Sequence, residues 1–337
     1  MYEFEPPPAL AAQRPWPPLL VTESGKTVER AADWPARRAE IEAAWQAYLG
    51  TCPFPDLERR VVEEEEEDLG DCTGARVWLQ TEPGYLEACY RLVPKARAAA
   101  RLPAVVVFYY DVETPAGLAP GGKDDVRAFA RHLAERGYVT LAQRWFHEGY
   151  LDRPRGGGQS LAQRYGESVA RFQRLAPGWK GLGRVAWDAS RCVDYLCSLP
   201  YVDPERIGCM GHSLGGKMAL YAAAFDARLK AVIASDLGIG LSFSNWEQPW
   251  YLGPEVREPG FPLDHHQLLA LIAPRPFLLI AGESADGERS WPYLASAQEV
   301  YRLYGRERDI GMVNHRSGHA PTLEALEAAY AWLAQRL

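Results

Sequence analysis

The pentapeptide Gly211-His212-Ser213-Leu214-Gly215 lies between an apolar run ending at Met210 and a helical run starting at Lys217. A strand that passes into a helix over so few residues must turn sharply. Only near-absent side chains beside the turn let the two backbones approach. The serine is then lifted clear of the sheet edge, and the backbone N–H of Leu214 faces the space above it. The chain carries this G-x-S-x-G pattern once. It fixes a strand, a helix and a candidate nucleophile together.

The same rhythm repeats around that turn. Apolar runs at 104–109, 138–142, 207–210, 231–235, 276–281 and 310–314 read as strands. Helical patterns at 124–136, 185–199, 216–225, 292–304 and from 321 onward alternate with them. Such alternation predicts the α/β class: a mainly parallel sheet, helices on both faces, and reactive loops at the carboxyl ends of the strands. Ahead of this region, Asp33 as N-cap, Pro35 and Gly50 bound a helix over 36–49. Segments 59–66, 77–81 and 86–93 then alternate loosely as strands. The five glutamates Glu63 to Glu67 read as the solvated part of an edge strand and its turn rather than an anionic site. With no composition break and no repeat, 1–337 is expected to be one domain. Residues 1–57 form an N-terminal extension with one helix, and roughly 236–265 an aromatic, cap-like insertion.

Composition narrows the partners. A net charge of −7 argues against nucleic acid, which needs clustered positive surface. The first residues lack the basic and apolar regions of a secretory signal, and no stretch reaches the length of a membrane span. The six cysteines have neither zinc-site nor disulfide-scaffold spacing. Cys192, Cys197 and Cys209 fall in apolar patterns as buried thiols. A cytoplasmic protein with no cofactor, no metal and no membrane partner is expected.

A serine hydroxyl needs a histidine base, and the histidine a carboxylate that fixes its tautomer. His319 follows the last strand and a glycine, just before the final helix, and is the best base; His315, nearer the strand, is its competitor. The strand at 276–281 is followed by Glu283, Asp286 and Glu288. Asp286, at the apex among small residues, is favoured as the acid, with Glu283 second and Glu288 an ordinary loop charge. The expected catalytic set is therefore Ser213, Asp286 and His319.

From about Leu102 to Leu337 the chain resembles an α/β-hydrolase of the dienelactone-hydrolase and acetyl-xylan-esterase-like group. The phrase Leu199-Pro200-Tyr201-Val202-Asp203-Pro204-Glu205-Arg206-Ile207-Gly208 carries that resemblance. It implies a roughly eight-stranded sheet and a serine-esterase mechanism through an acyl-enzyme. Trp34-Pro35-Ala36-Arg37-Arg38-Ala39-Glu40-Ile41 is similar to the N-terminal helix of bacterial glucuronoyl-esterase-like proteins, and Lys217 matches a lysine in their elbow. Those proteins carry Arg after the serine, where this chain has Leu214. The fold's usual His-Gly after the first core strand is replaced by Tyr109-Tyr110, followed by Asp111. The oxyanion donors expected are Leu214 N–H and the N–H of Tyr110 or Asp111, or a tyrosine hydroxyl in its place, with the Asp111 carboxylate turned away.

Other motifs weigh less. Gly117 to Asp124 misses a phosphate-binding loop by its last residue, and Asp124 reads instead as a helix N-cap. Gly156-Gly157-Gly158 lacks dinucleotide spacing. His265 and His266 are adjacent, so on a helix they would not face one ligand. Trp145, Trp246 and Trp250, with Phe243 and Tyr251, fall on loops after strands; they either pack a cap or line an acyl, aryl or sugar pocket. The expected function is hydrolysis of a small-molecule or carbohydrate ester. The alternatives are an acyltransferase with the same residues, a peptidase, or a ligand-binding homologue without catalysis.

Overall fold

The structure, a computed structural model, describes residues 2–8, 16–96, 100–151 and 160–337. The Gly156–Gly158 run lies outside the described residues. The chain runs through α1 (Trp34–Leu49), β1 (Val61–Glu63), β2 (Glu67–Asp68), β3 (Cys72–Glu82), β4 (Tyr85–Pro94) and β5 (Leu102–Tyr109). Next come α2 (Glu113–Ala116), α3 (Phe129–Glu135), β6 (Val139–Arg144), α4 (Phe146–Gly149), α5 (Leu161–Leu175) and α6 (Gly181–Ser198). The elbow region is β7 (Val202–His212), α7 (Leu214–Phe225) and β8 (Leu229–Ser235). The chain closes with α8 (His265–Ile272), β9 (Phe277–Ala281), α9 (Trp291–Leu303), β10 (Ile310–Asn314) and α10 (Leu323–Ala334).

Among the described residues these strands form one ten-stranded sheet in the order β1-β3-β4-β6-β5-β7-β8-β9-β10, with β2 on β3. Strands β5 to β10 pair in parallel, while the β3–β4 hairpin joins β6 antiparallel. The very short β1 and β2 are additions at one edge to the roughly eight strands expected. Both faces of the parallel part are covered, so the central stretches of its strands carry apolar side chains on both faces. In β5, Ala104, Val106 and Phe108 face a core shared with α1, α6, α7 and α8. Val105, Val107 and Tyr109 face the opposite core, with α3 and α10. The N-terminal helix joins the larger core through Trp34, Ile41 and Trp45, and Trp45 Nε1 donates to Gln267 Oε1 at 3.1 Å.

Two sequence expectations shift. The helix expected from Asp124 begins at Phe129. Asp125 accepts from the backbone N–H of Arg127 at 2.8 Å and pairs with its guanidinium, so a side-chain turn displaces the first helical turn. The glutamate run is exposed but not simply solvated. Glu63 and Glu66 pair with Arg91, and Glu64 and Glu67 accept from Trp78 and Tyr90. Among the described residues, no helix is long and apolar enough to cross a membrane.

Candidate active site

Strand β7 ends at His212 and α7 begins at Leu214, which leaves Ser213 alone in the turn at φ 57° and ψ −115°. A non-glycine residue held there stores strain, which the surroundings must offset. A Cβ on Gly211 would lie 2.0 Å from the Gly215 carbonyl oxygen, and one on Gly215 would lie 1.9 Å from that of Phe108. Both glycines are therefore obligatory for the turn. The Ser213 N–H donates to the Ser235 carbonyl at 2.7 Å, tying the turn to the end of β8.

The loop after β10 brings His319 over this serine, with Nε2 2.9 Å from Ser213 Oγ. The other ring nitrogen, Nδ1, meets Asp236 Oδ2 at 2.5 Å. A carboxylate on Nδ1 places the proton there and leaves Nε2 bare to accept the serine proton. His315 is buried below, with Nδ1 accepting from Ser317 N–H at 3.2 Å.

The acid on His319 is thus Asp236, and the expectation of Asp286 is corrected. Asp286 is fully buried, and its carboxylate accepts from Gly238 N–H at 2.7 Å, Ile239 N–H at 2.8 Å and Ser290 Oγ at 2.8 Å. Its oxygens face the β8 loop rather than the histidine. Burial pushes its pKa up to about 6, against the lowering effect of these donors. The Asp286 N–H in turn donates to Asp236 Oδ1 at 2.7 Å, and Ala285 N–H to Oδ2 at 3.2 Å. Glu283 is exposed, accepting from Asn314 and Glu288 N–H away from the histidine.

Ser213 and His319 open onto a cleft of about 430 Å³ that Tyr110, Leu214 and Lys217 also line. Leu214 opens α7, so its N–H has no acceptor within the helix. The Asp111 carboxylate is turned away, accepting from Thr114 N–H at 2.7 Å. The tryptophans do not line the cleft. Trp145, Trp246 and Trp250 are buried beneath it, and the aromatic wall is made by Tyr110, Phe243 and Tyr251. Trp145 packs on Phe146, His147 and Tyr251, and Trp250 on Tyr165 and Tyr251. Trp246 Nε1 donates to the Gly238 carbonyl at 2.7 Å, which leaves its ring face as a floor under Lys217.

Lys217 stands one helical turn after Ser213, with Nζ 3.7 Å from the centre of the Trp246 ring. It donates to Ser244 Oγ at 2.8 Å and Asn245 Oδ1 at 3.4 Å. Burial draws its pKa down to about 7. His265 and His266 take separate partners, the first Tyr221 and the Ile239 carbonyl, the second the face of Trp16. Among the described residues, no group of three His, Cys, Asp or Glu side chains is placed to hold a metal ion.

The sequence profile of the dienelactone hydrolase family matches residues 89–235, from within β4 to the last residue of β8. YtaP of Bacillus subtilis (strain 168) is 30% identical over 221 residues, which cover 61% of this chain and 69% of that protein. The chain belongs to the dienelactone hydrolase family. A relative of this family member from Sodiomyces alcalophilus, 4-O-methyl-glucuronoyl methylesterase 1, is 26% identical over 331 residues, covering 88% of this chain and 58% of its own. The chain spans 34%, 58% and 32% of the lengths of the first curated relatives it matches. In fold, this dienelactone hydrolase family chain is similar to a glucuronoyl esterase from Solibacter usitatus, with a TM-score of 0.77 at 22% identity over 98% of both chains. The α/β-hydrolase fold expected from the elbow is the fold observed. Asp236 and His319 both lie beyond the family match, which ends at residue 235.

Proposed function

We propose that the chain is a serine-dependent carboxylic-ester hydrolase acting on a small-molecule or carbohydrate ester. The observation that carries this is the unbroken line from Ser213 Oγ through His319 to buried Asp236, opening on a cleft. Ser213 Oγ attacks the ester carbonyl carbon while His319 Nε2 takes its proton. Asp236 holds the ring in the receptive tautomer and stabilises the imidazolium that forms. The carbonyl oxygen, now negative, is held by Leu214 N–H together with backbone on the Tyr110 wall. Collapse expels the alcohol, which takes the proton from His319 and leaves an acyl-serine. Water, deprotonated by His319, then releases the acid and restores the serine. No step calls for a cofactor.

The names of the relatives support an ester of a carbohydrate acid as substrate. Lys217, a donor on the cleft wall with no carboxylate in salt-bridge reach among the described residues, suits the oxygens of such an acyl group. The experiment is a panel of p-nitrophenyl esters, acetylated sugars and uronate methyl esters, run with wild type and Ser213→Ala. Hydrolysis by the wild type and a loss of about a thousandfold or more in the variant, with an unchanged circular dichroism spectrum, is expected. Undiminished hydrolysis by Ser213→Ala sinks the assignment.

A further inference from the structure

Two residues of the proposed catalytic set have a backbone that side chains rarely tolerate. Ser213 has φ 57° and Asp236 φ 41°. Neither is glycine, so each would relax if its neighbours allowed it. The residues immediately before them, His212 and Ser235, are register partners in the parallel pair β7–β8. Their side chains meet: His212 Nδ1 and Ser235 Oγ share a hydrogen bond of 3.0 Å, and both residues are buried. The Ser235 carbonyl also accepts the Ser213 N–H at 2.7 Å. On its other side the His212 ring lies against His319, with centroids 4.7 Å apart and planes inclined by 44°.

We propose that His212 and Ser235 form a clasp that holds the two strained residues in register and supplies the surface on which the His319 ring rests. His212 is then a positioning residue: it touches neither substrate nor the reacting atoms. The inference rests on the hydrolase reading of the same site. Its physical basis is leverage. A turn of a few degrees at either strained residue moves Ser213 Oγ or Asp236 Oδ2 relative to His319, and alignment of reacting groups dominates the rate of such a transfer. A buried polar pair that merely satisfied itself would affect stability without touching turnover.

The test compares full-length wild type with Ser235→Ala, His212→Phe, the double variant and Ser235→Thr. Each preparation is counted by stoichiometric fluorophosphonate labelling, so that turnover refers to folded sites. Ser235→Ala and His212→Phe are each expected to lower kcat by about tenfold, the weight of one buried hydrogen bond, with KM changed less than about twofold. The double variant should fall no more than about twofold below either single, because the two side chains act through one bond. Ser235→Thr, which keeps the hydroxyl, should restore most of the rate. Unchanged kcat in Ser235→Ala, or losses that multiply in the double variant, overturns the clasp while leaving the hydrolase reading intact. A wild type that neither labels nor hydrolyses any ester overturns both.

Discussion

Strands β8 and β9 are neighbours, and each is followed by a buried aspartate, yet the two loops use their carboxylates in opposite ways. Asp286, after β9, spends its lone pairs on two backbone amides and a serine hydroxyl. Asp236, after β8, accepts the Asp286 amide on one oxygen and meets His319 with the other. The loops brace each other: the carboxylate of one holds the backbone of the second, and the backbone of the first holds the carboxylate of the second. Burial and a strand-end position are common to both, so neither makes an acid the partner of a histidine. What separates them is which donors reach the oxygens, and Asp236 has a positive φ that Asp286 lacks.

The largest effects should divide the two carboxylates. Asp236→Asn keeps the shape but offers an N–H₂ where His319 needs an acceptor, favouring the wrong tautomer. A loss of about 10³–10⁴ in kcat is expected, with a stability loss comparable to that of Asp286→Asn, since Asp236 also accepts from two backbone amides. Asp286→Asn leaves a single carbonyl oxygen for three donors, so at least one buried N–H or O–H loses its acceptor. This should cost about 1–3 kcal/mol of stability and only about tenfold in kcat, through the displaced β8 loop. Steady-state kinetics beside thermal melts read both. Equal kcat losses in the two variants, with both folds intact, would break the comparison.

The same pair shows where sequence runs out. The elbow was legible because two glycines and a strand–helix junction admit almost one geometry. His319 was legible because the glycine before it and the helix after it place it at a strand end. Asp236 was not. It directly follows the strand ending at Ser235, at the start of the aromatic insertion, and its backbone has a positive φ where its carboxylate meets the histidine. Aspartate tolerates that conformation, but nothing in the sequence announces it. Asp286 had the expected place in chain order and the burial, but not the direction. The tryptophans misled for a related reason: an indole suits a pocket wall or the layer beneath it equally, and only tertiary packing decides. Helices α5 and α8 were missed despite capping boxes at Ser160–Gln163 and Asp264–Gln267, a local signal that could have found them.

Besides lining the cleft with Ser284 and Ala285, the β9 loop reaches it by a relayed route. Asp286 holds Gly238 N–H, the Gly238 carbonyl holds Trp246 Nε1, and Lys217 rests on the Trp246 ring. If this line serves substrate binding while Asp236 serves chemistry, Lys217→Met should raise KM for a uronate ester by about tenfold and leave kcat within about threefold. Hydrolysis of p-nitrophenyl acetate, which lacks the extra oxygens, should barely change. Burial lowers the Lys217 pKa to about 7, so its ammonium is lost as pH rises through neutrality. Wild-type KM should therefore climb from pH 6 to pH 8, while that of Lys217→Met stays flat. A kcat loss that dominates in Lys217→Met would instead tie the lysine to the chemical step.

The smallest effect is on stability, and its sign is specific to Asp286. Its folded pKa of about 6 stands above the ordinary aspartate value of 3.8 because burial penalises the charged form. Between those values the folded chain binds a proton that the unfolded chain does not, so this group adds stability as pH falls. Between pH 7.5 and pH 5 the gain is about 1 kcal/mol, and Asp286→Asn cannot make it. The stability gap between wild type and Asp286→Asn, read from urea unfolding, should accordingly widen by about that amount on acidification. A gap that narrows instead would mean that the three donors, rather than burial, govern this carboxylate. Asp286 would then be an anion held through the whole range, and the contrast between the two loops would rest on direction alone.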